Sequence, residues 1–211
     1  MFDCLQSRPI IILSTPRTGS TILGSDIAKY YNIKFYDEIV TKENSLVKLD
    51  EFYKQNLYNK DYVLKVHIYH LFEKFNDDLL KKIKYKKCSL VKIQRKTLID
   101  QLVSYYIANN RDKWIYETND NLNDVIPINH HTMLDNYSYI NFSNNFLNSL
   151  QLNFDLTLTY EDCKFSEDLK QTPKPINYDS ICRLAESVTR NKEPKSFNYF
   201  QEKFKTRWEN I

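Results

Sequence analysis

The chain's two glycines, Gly19 and Gly24, fall in one short segment. A chain of this length would ordinarily hold roughly 15, at about 7% usage. Lys, Asn, Ile and Tyr are abundant instead, as in proteins encoded by AT-rich genomes. A sequence that has shed nearly all its glycines keeps them where the backbone cannot accept a side chain. In Thr15-Pro-Arg-Thr-Gly-Ser-Thr21, Gly19 permits a turn whose successive N–H groups point inward, and a following helix N-terminus adds positive potential. Arg17 supplies a permanent cation, and Ser20 and Thr21 supply hydroxyl donors. That chemistry is a cradle for phosphate or sulfate. It is not a GxxxxGK[ST] loop, because the first glycine and the lysine are missing. An ordinary capped turn would use the same Ser and Thr. Confinement of both glycines to this segment favours the cradle.

Two further segments carry groups of the same kind. In Arg95-Lys-Thr-Leu-Ile-Asp-Gln-Leu-Val-Ser104, a cation is followed by Thr97, Gln101, Ser104 and Ala108 at helical spacing. This small-polar stripe lies opposite an apolar face with Leu98, Leu102 and Tyr105. Arg95 and a hydroxyl two turns on could grip an anion from two sides; read alone, the stripe is better explained by a solvated face. In Thr159-Tyr-Glu-Asp162, Tyr160 could stack on a base, or be ordinary core.

The elements that must position these groups are legible. Arg8 to Leu13 is a continuous apolar run, as in a strand buried on both faces. Asp61–His67, Cys88–Gln94 and Phe154–Tyr160 read as three more strands. Helical periods follow the first loop (Leu23, Ile27, Tyr30 or Tyr31), run from Thr97 to Asn109, and resume through Met133, Tyr137, Ile140, Leu147 and Leu150. Others are expected around Leu49–Leu57, over Leu71–Ile83 and from Glu161, with a last core helix holding Ile181, Leu184 and Val188 after the break at Thr172-Pro-Lys-Pro175. The polar stretch from Asn110 to His130 reads as a loop or lid, with His130 and His131 as lid residues. Strands alternating with helices predict an α/β fold with a parallel sheet flanked by helices on both faces. Ligands in such folds bind beyond the carboxyl ends of the strands, where all three segments lie.

The 211 residues suit a single domain, 1–211, and the hydrophobic fraction of 42% supports a core. The formal net charge of +3 fits a protein that handles anions and is too weak for duplex nucleic acid as the main partner. Cys4, Cys88, Cys163 and Cys182 form no CxxC or Cys/His pair, which argues against a zinc module and for a reducing compartment. The first apolar run is too short for a signal peptide and no stretch approaches a membrane span, so a soluble, cytoplasmic protein is expected.

Taken in order, the three segments resemble the sulfotransferases that use 3′-phosphoadenosine 5′-phosphosulfate (PAPS), over about Ile10 to Asp162. Pro16-Arg17-Thr18-Gly19-Ser20-Thr21 matches the family's P-[KR]-[ST]-G-[ST]-[ST] loop for the 5′-phosphosulfate at every position, in a form similar to the bacterial and carbohydrate branches. Arg95 and Ser104 match its 3′-phosphate motif, with Lys96 an alternative for the aligned cation, and Tyr160 looks like a nucleotide-binding position. The resemblance implies a P-loop-like three-layer fold with about four to five parallel strands, a donor-binding core over 8–162 and a helical C-terminal part over 163–211. It departs from the family in lacking the C-terminal R-K-G-x-x-G segment; Arg190, Lys192 and Lys195 are the cations available to replace its charge. The chain is also shorter than most members, which leaves the acceptor pocket open or completed by a second subunit, as in a homodimer.

The activity so implied is in-line transfer of a sulfuryl group from PAPS to a hydroxyl, releasing adenosine 3′,5′-bisphosphate (PAP), with no metal. The acceptor would be a small molecule or carbohydrate; Trp114 and Tyr116 in the polar stretch could stack on its ring. Arg17 and the loop N–H groups would stabilise charge on the leaving group. Two bases compete. His67 follows Val63-Leu-Lys-Val66, similar to the strand-Lys-x-His of cytosolic members, and its ordinary pKa suits proton removal near neutrality. Glu38, in Phe35-Tyr-Asp-Glu38, lies where other members carry a catalytic Glu. His67 is preferred. Two rival readings are an ATP-dependent kinase, which needs a loop Lys and a strand-end Asp absent here, and a non-catalytic nucleotide- or RNA-binding protein using Arg17, Lys65, Arg95 and stacking tyrosines.

Overall fold

The computed structural model describes residues 2–5, 9–37, 52, 61–68, 81, 83–85, 87–114, 123–163, 165 and 173–191. Among these residues five strands, β1 (Ile10–Ser14), β2 (Lys34–Tyr36), β3 (Tyr62–His67), β4 (Ser89–Gln94) and β5 (Leu156–Thr159), form one sheet in the order β2-β3-β1-β4-β5. Every pairing is parallel. The apolar run Ile10–Leu13 occupies the central strand, and all five residues of β1 are buried.

Alternation along the strands divides the core by sheet face. Ile11, Leu13, Leu64, Val66 and Leu90 point to one face and pack with Phe142, Phe146 and Leu147 of α3 (His130–Ser149). Ile10, Ile12, Val63, Val91 and Ile93 point to the other and pack with Leu23 and Ile27 of α1 (Ser20–Tyr31). Each fully buried aliphatic side chain contributes about 1.5–3 kcal/mol of transfer free energy, so the sheet is held from both sides. A third cluster joins Leu102 and Tyr106 of α2 (Leu98–Arg111) to Met133 and Tyr137 of α3 and Ile181 and Val188 of α4 (Tyr178–Asn191). The result is the expected three-layer α/β fold. Because β1 leads into α1 on one face and β4 into α2, packed with α3 on the other, the connections diverge above β1 and β4. Crevices of that kind are where open parallel sheets take ligands.

Several boundaries differ from expectation. The edge strand β2 was not anticipated, because three residues are too few to show an alternating pattern; it is fixed by pairing with β3 from Lys34↔Tyr62 to Tyr36↔Leu64. β1 begins at Ile10 rather than Arg8. Pro9 lacks an N–H and joins the sheet only through its carbonyl, which accepts from Ser89 N. From Glu161 no α-helix is seen among the described residues: Tyr160–Asp162 is one 3-10 turn, closed by extended Cys163. His130 and His131 are not lid residues but the first turn of α3, since Asn129 Oδ1 accepts from Thr132 N at 3.0 Å and starts the helix there. Residues 123–129 have no regular structure, as expected of that stretch. The helices expected at Leu49–Leu57 and Leu71–Ile83 lie almost wholly outside the described residues. Among the described residues no helix is long and apolar enough to cross a membrane.

Candidate functional site

The loop between β1 and α1 carries two residues in the left-handed region, Arg17 at φ 61° and Gly19 at φ 75°. Glycine at 19 is required twice over. Its φ disfavours any L side chain, and a Cβ there would lie 2.5 Å from Tyr160 Cδ2 and 2.7 Å from Cε2. Gly24 is needed for another reason: a Cβ would collide with the Phe35 ring, so its absence lets α1 lie against β2. One glycine therefore serves the loop and the other serves packing.

The loop is held from beneath by uncharged groups, Thr15, Thr18 and Gln101 buried and Asn144 half-buried. Gln101 Nε2 donates to Thr15 Oγ1 at 2.9 Å and to the Pro16 carbonyl at 2.6 Å. Thr15 Oγ1 donates to Asn144 Oδ1 at 2.8 Å, and Asn144 Nδ2 donates to Gln101 Oε1 at 2.9 Å. Thr18 Oγ1 donates to the Thr15 carbonyl at 2.9 Å. The small-polar stripe of α2 is thus no solvated face: Gln101 and Ala108 are fully buried. Gly19 is the N-cap of α1 and offers no side-chain cap, so Ser20 and Thr21 begin the helix with its first N–H groups uncapped by that residue.

Arg17 spans the crevice. Its Nε donates to Ser104 Oγ at 3.0 Å and its Nη1 to the Trp114 carbonyl at 2.5 Å. These bonds hold a non-glycine residue in the left-handed region, a conformation that costs about 1–2 kcal/mol. Trp114 also begins an aromatic wall: Tyr105 lies 5.3 Å from it and 5.5 Å from Tyr139, centroid to centroid. Burial pushes the Tyr105 hydroxyl up to about 12. Tyr116 is outside the described residues.

Arg95 belongs to a second column, beside β5. Its guanidinium carbon sits 4.4 Å above the Tyr160 ring, and the same ring packs on Gly19. Arg95 Nη1 donates to the Asp100 carbonyl at 3.2 Å. Its buried Nε finds no hydrogen-bond partner and lies 3.9 Å from Glu161 Oε1. The structure therefore brings Arg17 to Ser104, and Arg95 to Tyr160 and Gly19, but shows no bond between Arg95 and Ser104. Lys96 points elsewhere, with Nζ 2.6 Å from Asp162 Oδ1 and most of its side chain exposed. That hydrogen bond raises the Lys96 ammonium above its ordinary range. Arg190 pairs with Glu186 on the surface of α4; Lys192 and Lys195 are outside the described residues.

On the other side of β1, His67 ends β3 and is nearly buried, with Nδ1 3.1 Å from Ser14 Oγ. Two residues earlier, Lys65 is 4% exposed, a costly place for a cation without partners. Its Nζ lies 2.6 Å from Asp37 Oδ1 and donates to Thr21 Oγ1 at 2.7 Å, while Thr21 Oγ1 donates to Asp37 Oδ2 at 3.2 Å. Glu38 is outside the described residues; its neighbour Asp37 is the carboxylate seen against the loop.

Sequence reasoning passed over Asp37, Asn144 and Ser14. Asp37 was signalled by a buried-strand lysine needing a counter-ion. Asn144 carried no signal, since its partners lie far away in sequence. Among the described residues, Arg17, Ser104, Arg95, Tyr160 and His67 lie at one end of the sheet. The sequence matches no protein-family model, and no curated protein matches it either.

Proposed function

We propose that this protein transfers a sulfuryl group from PAPS to a hydroxyl of a small-molecule or carbohydrate acceptor. The observation that carries the reading is the loop Pro16–Thr21 on the central strand, with Gly19 at φ 75° where a Cβ would lie 2.5 Å from the Tyr160 ring. Two features favour an anionic nucleotide there. The loop offers backbone N–H groups at a helix N-terminus beside Arg17, and Arg95 keeps a buried Nε without a hydrogen bond beside an aromatic ring.

The donor supplies an activated sulfuryl group. Arg17 and the loop N–H groups bind the 5′-phosphosulfate and stabilise the charge that develops there. Arg95 and Ser104 bind the 3′-phosphate, the guanidinium by charge-assisted hydrogen bonds. Arg17, bonded to Ser104, is aimed across the crevice. His67 removes the acceptor proton. The acceptor oxygen forms the new S–O bond, the bond from sulfur to the bridging oxygen breaks, and its electron pair leaves with PAP.

The test is calorimetric titration of PAP against ADP with magnesium at matched ionic strength. Preference for PAP, weakened about tenfold or more by Arg95→Ala, is expected, and turnover then depends on the sulfated donor. Preference for ADP, or binding of neither, would sink the assignment.

A further inference from the structure

We infer that Ser14 is a positioning residue for His67, fixing which ring nitrogen takes the acceptor proton; this rests on the sulfotransferase reading for the role of His67. Ser14 and His67 end the adjacent parallel strands β1 and β3 and are paired in register. The pairs below them, Ile10↔Val63 and Ile12↔Lys65, lie on the same sheet face as α1. Ser14 is fully buried and His67 nearly so, and Oγ and Nδ1 are 3.1 Å apart. The strand register thus delivers a hydroxyl to one atom of the imidazole. A buried polar pair of this kind is costly to break, because each partner would lose a hydrogen bond without regaining water.

The proton in that bond has two placements. If Ser14 donates, the neutral ring carries its proton on Nε2, and neither nitrogen is available as a base without rearrangement. If Nδ1–H donates to Ser14 Oγ, the lone pair is on Nε2, and the imidazole can accept a proton there. The hydrogen bond made by one ring nitrogen sets the chemistry of the other. The inference selects the second arrangement. On proton transfer Nε2 gains the acceptor's hydrogen, the ring becomes imidazolium, and Nδ1–H continues to donate to Ser14, so the Ser14–His67 bond is kept.

The experiment is nitrogen-15 NMR of the His67 ring in the full chain, wild type and Ser14→Ala, with the ring in its neutral form. Turnover of the two forms is measured in parallel. The wild type is expected to show a protonated Nδ1 and an unprotonated Nε2, and Ser14→Ala to shift the ring towards the Nε2–H form. The kcat should fall about tenfold, part of what a positioned base contributes, while KM for the donor is unchanged; Ser14→Thr, which keeps the hydroxyl, should restore the wild-type ring signature. A wild-type ring protonated on Nε2 overturns the inference even if Ser14→Ala does not fold. So does a tautomer indifferent to Ser14. Failure of the sulfotransferase reading would appear separately, as wild-type protein that does not bind PAP, with the ring signature unaffected.

Discussion

The β1–α1 loop and the corner between β4 and β5 each present a cation to the same end of the sheet, but they are fastened differently. The start of the loop rests on Thr15, Gln101 and half-buried Asn144, neutral groups bonded to one another, and only its far end, Thr21, touches an ion pair, Lys65–Asp37. The corner is tied largely by ions near solvent: Lys96 N donates to Glu161 Oε2 at 3.0 Å, Lys96 Nζ meets Asp162, and Arg95 approaches Glu161. Neutral buried bonds are insensitive to salt and expensive to leave half-made. Exposed ion pairs are weak and screened. The difference teaches that the loop is a fixed template, whereas the corner is held by contacts that weaken with salt; on the proposed reading, these are the 5′ side and the side that would exchange carboxylate partners for the 3′-phosphate.

The largest break in this comparison should come from Gly19→Ala. The left-handed backbone costs roughly 1–2 kcal/mol for a residue with a Cβ, and pushing that atom into Tyr160 adds about 1–3 kcal/mol of overpacking. Urea denaturation should show a loss of about 2–5 kcal/mol in total, with PAP binding abolished. Gly24→Ala sharpens the contrast. It also meets an aromatic ring, but in a helix where Ala gains about 1 kcal/mol of propensity over Gly, so a smaller loss with binding retained is expected. Equal effects of the two substitutions would refute a special role for the loop.

Next in size is Gln101→Leu, similar in volume but unable to bond Thr15, Pro16 or Asn144. Leaving these buried groups without Gln101 should cost about 2–3 kcal/mol, and the loss should be the same at low and high salt. A loss that shrinks with added salt would mean that the loop is held electrostatically after all.

Asp124 gives an intermediate case at the other end of α2. Arg111 donates to both of its carboxylate oxygens and to the Pro173 carbonyl. The Arg111 hydrogen bond and charge hold the Asp124 carboxyl below its ordinary range. A carboxyl depressed in the folded state adds stability that is present above its unfolded pKa of about 3.9 and is lost as pH falls through the lower folded value. Because Asp124 is more than a third exposed, the contribution should be under about 1 kcal/mol. Asp124→Asn should lower stability at pH 7 by that amount and converge with wild type once the pH has fallen through the depressed folded value; parallel curves at every pH would exclude the ionic contribution.

The sheet, its two covered faces and the loop were legible because each rests on a local pattern: an apolar run, a helical period, a pair of glycines. What stayed hidden depends on contacts between distant segments. Asn144 is an unremarked Asn on α3 until the fold sets it against Thr15. Asp37 gains meaning only when β2 pairs with β3 and brings it to Lys65. Both glycines sit where a Cβ would meet an aromatic ring, but that the ring at Gly24 is Phe35 of β2 is visible only in the fold. Ser14 reads as the polar end of a strand until the register places it beside His67.

The smallest effect on stability should come from Lys96→Ala, and it separates the two neighbouring cations of the corner. Sequence left Arg95 and Lys96 as alternatives for the 3′-phosphate. The fold distinguishes them: Arg95 is 16% exposed and lies over Tyr160, while Lys96 is 57% exposed and bound to Asp162. Removing Lys96 should leave the urea midpoint unchanged at 0.15 M salt. PAP affinity should fall by less than about threefold, as expected for a screened surface charge, against about tenfold or more for Arg95→Ala. If Lys96→Ala weakens PAP binding as much as Arg95→Ala does, and the loss persists at 0.5 M salt, Lys96 leaves Asp162 for the ligand. The 3′-phosphate would then belong to Lys96.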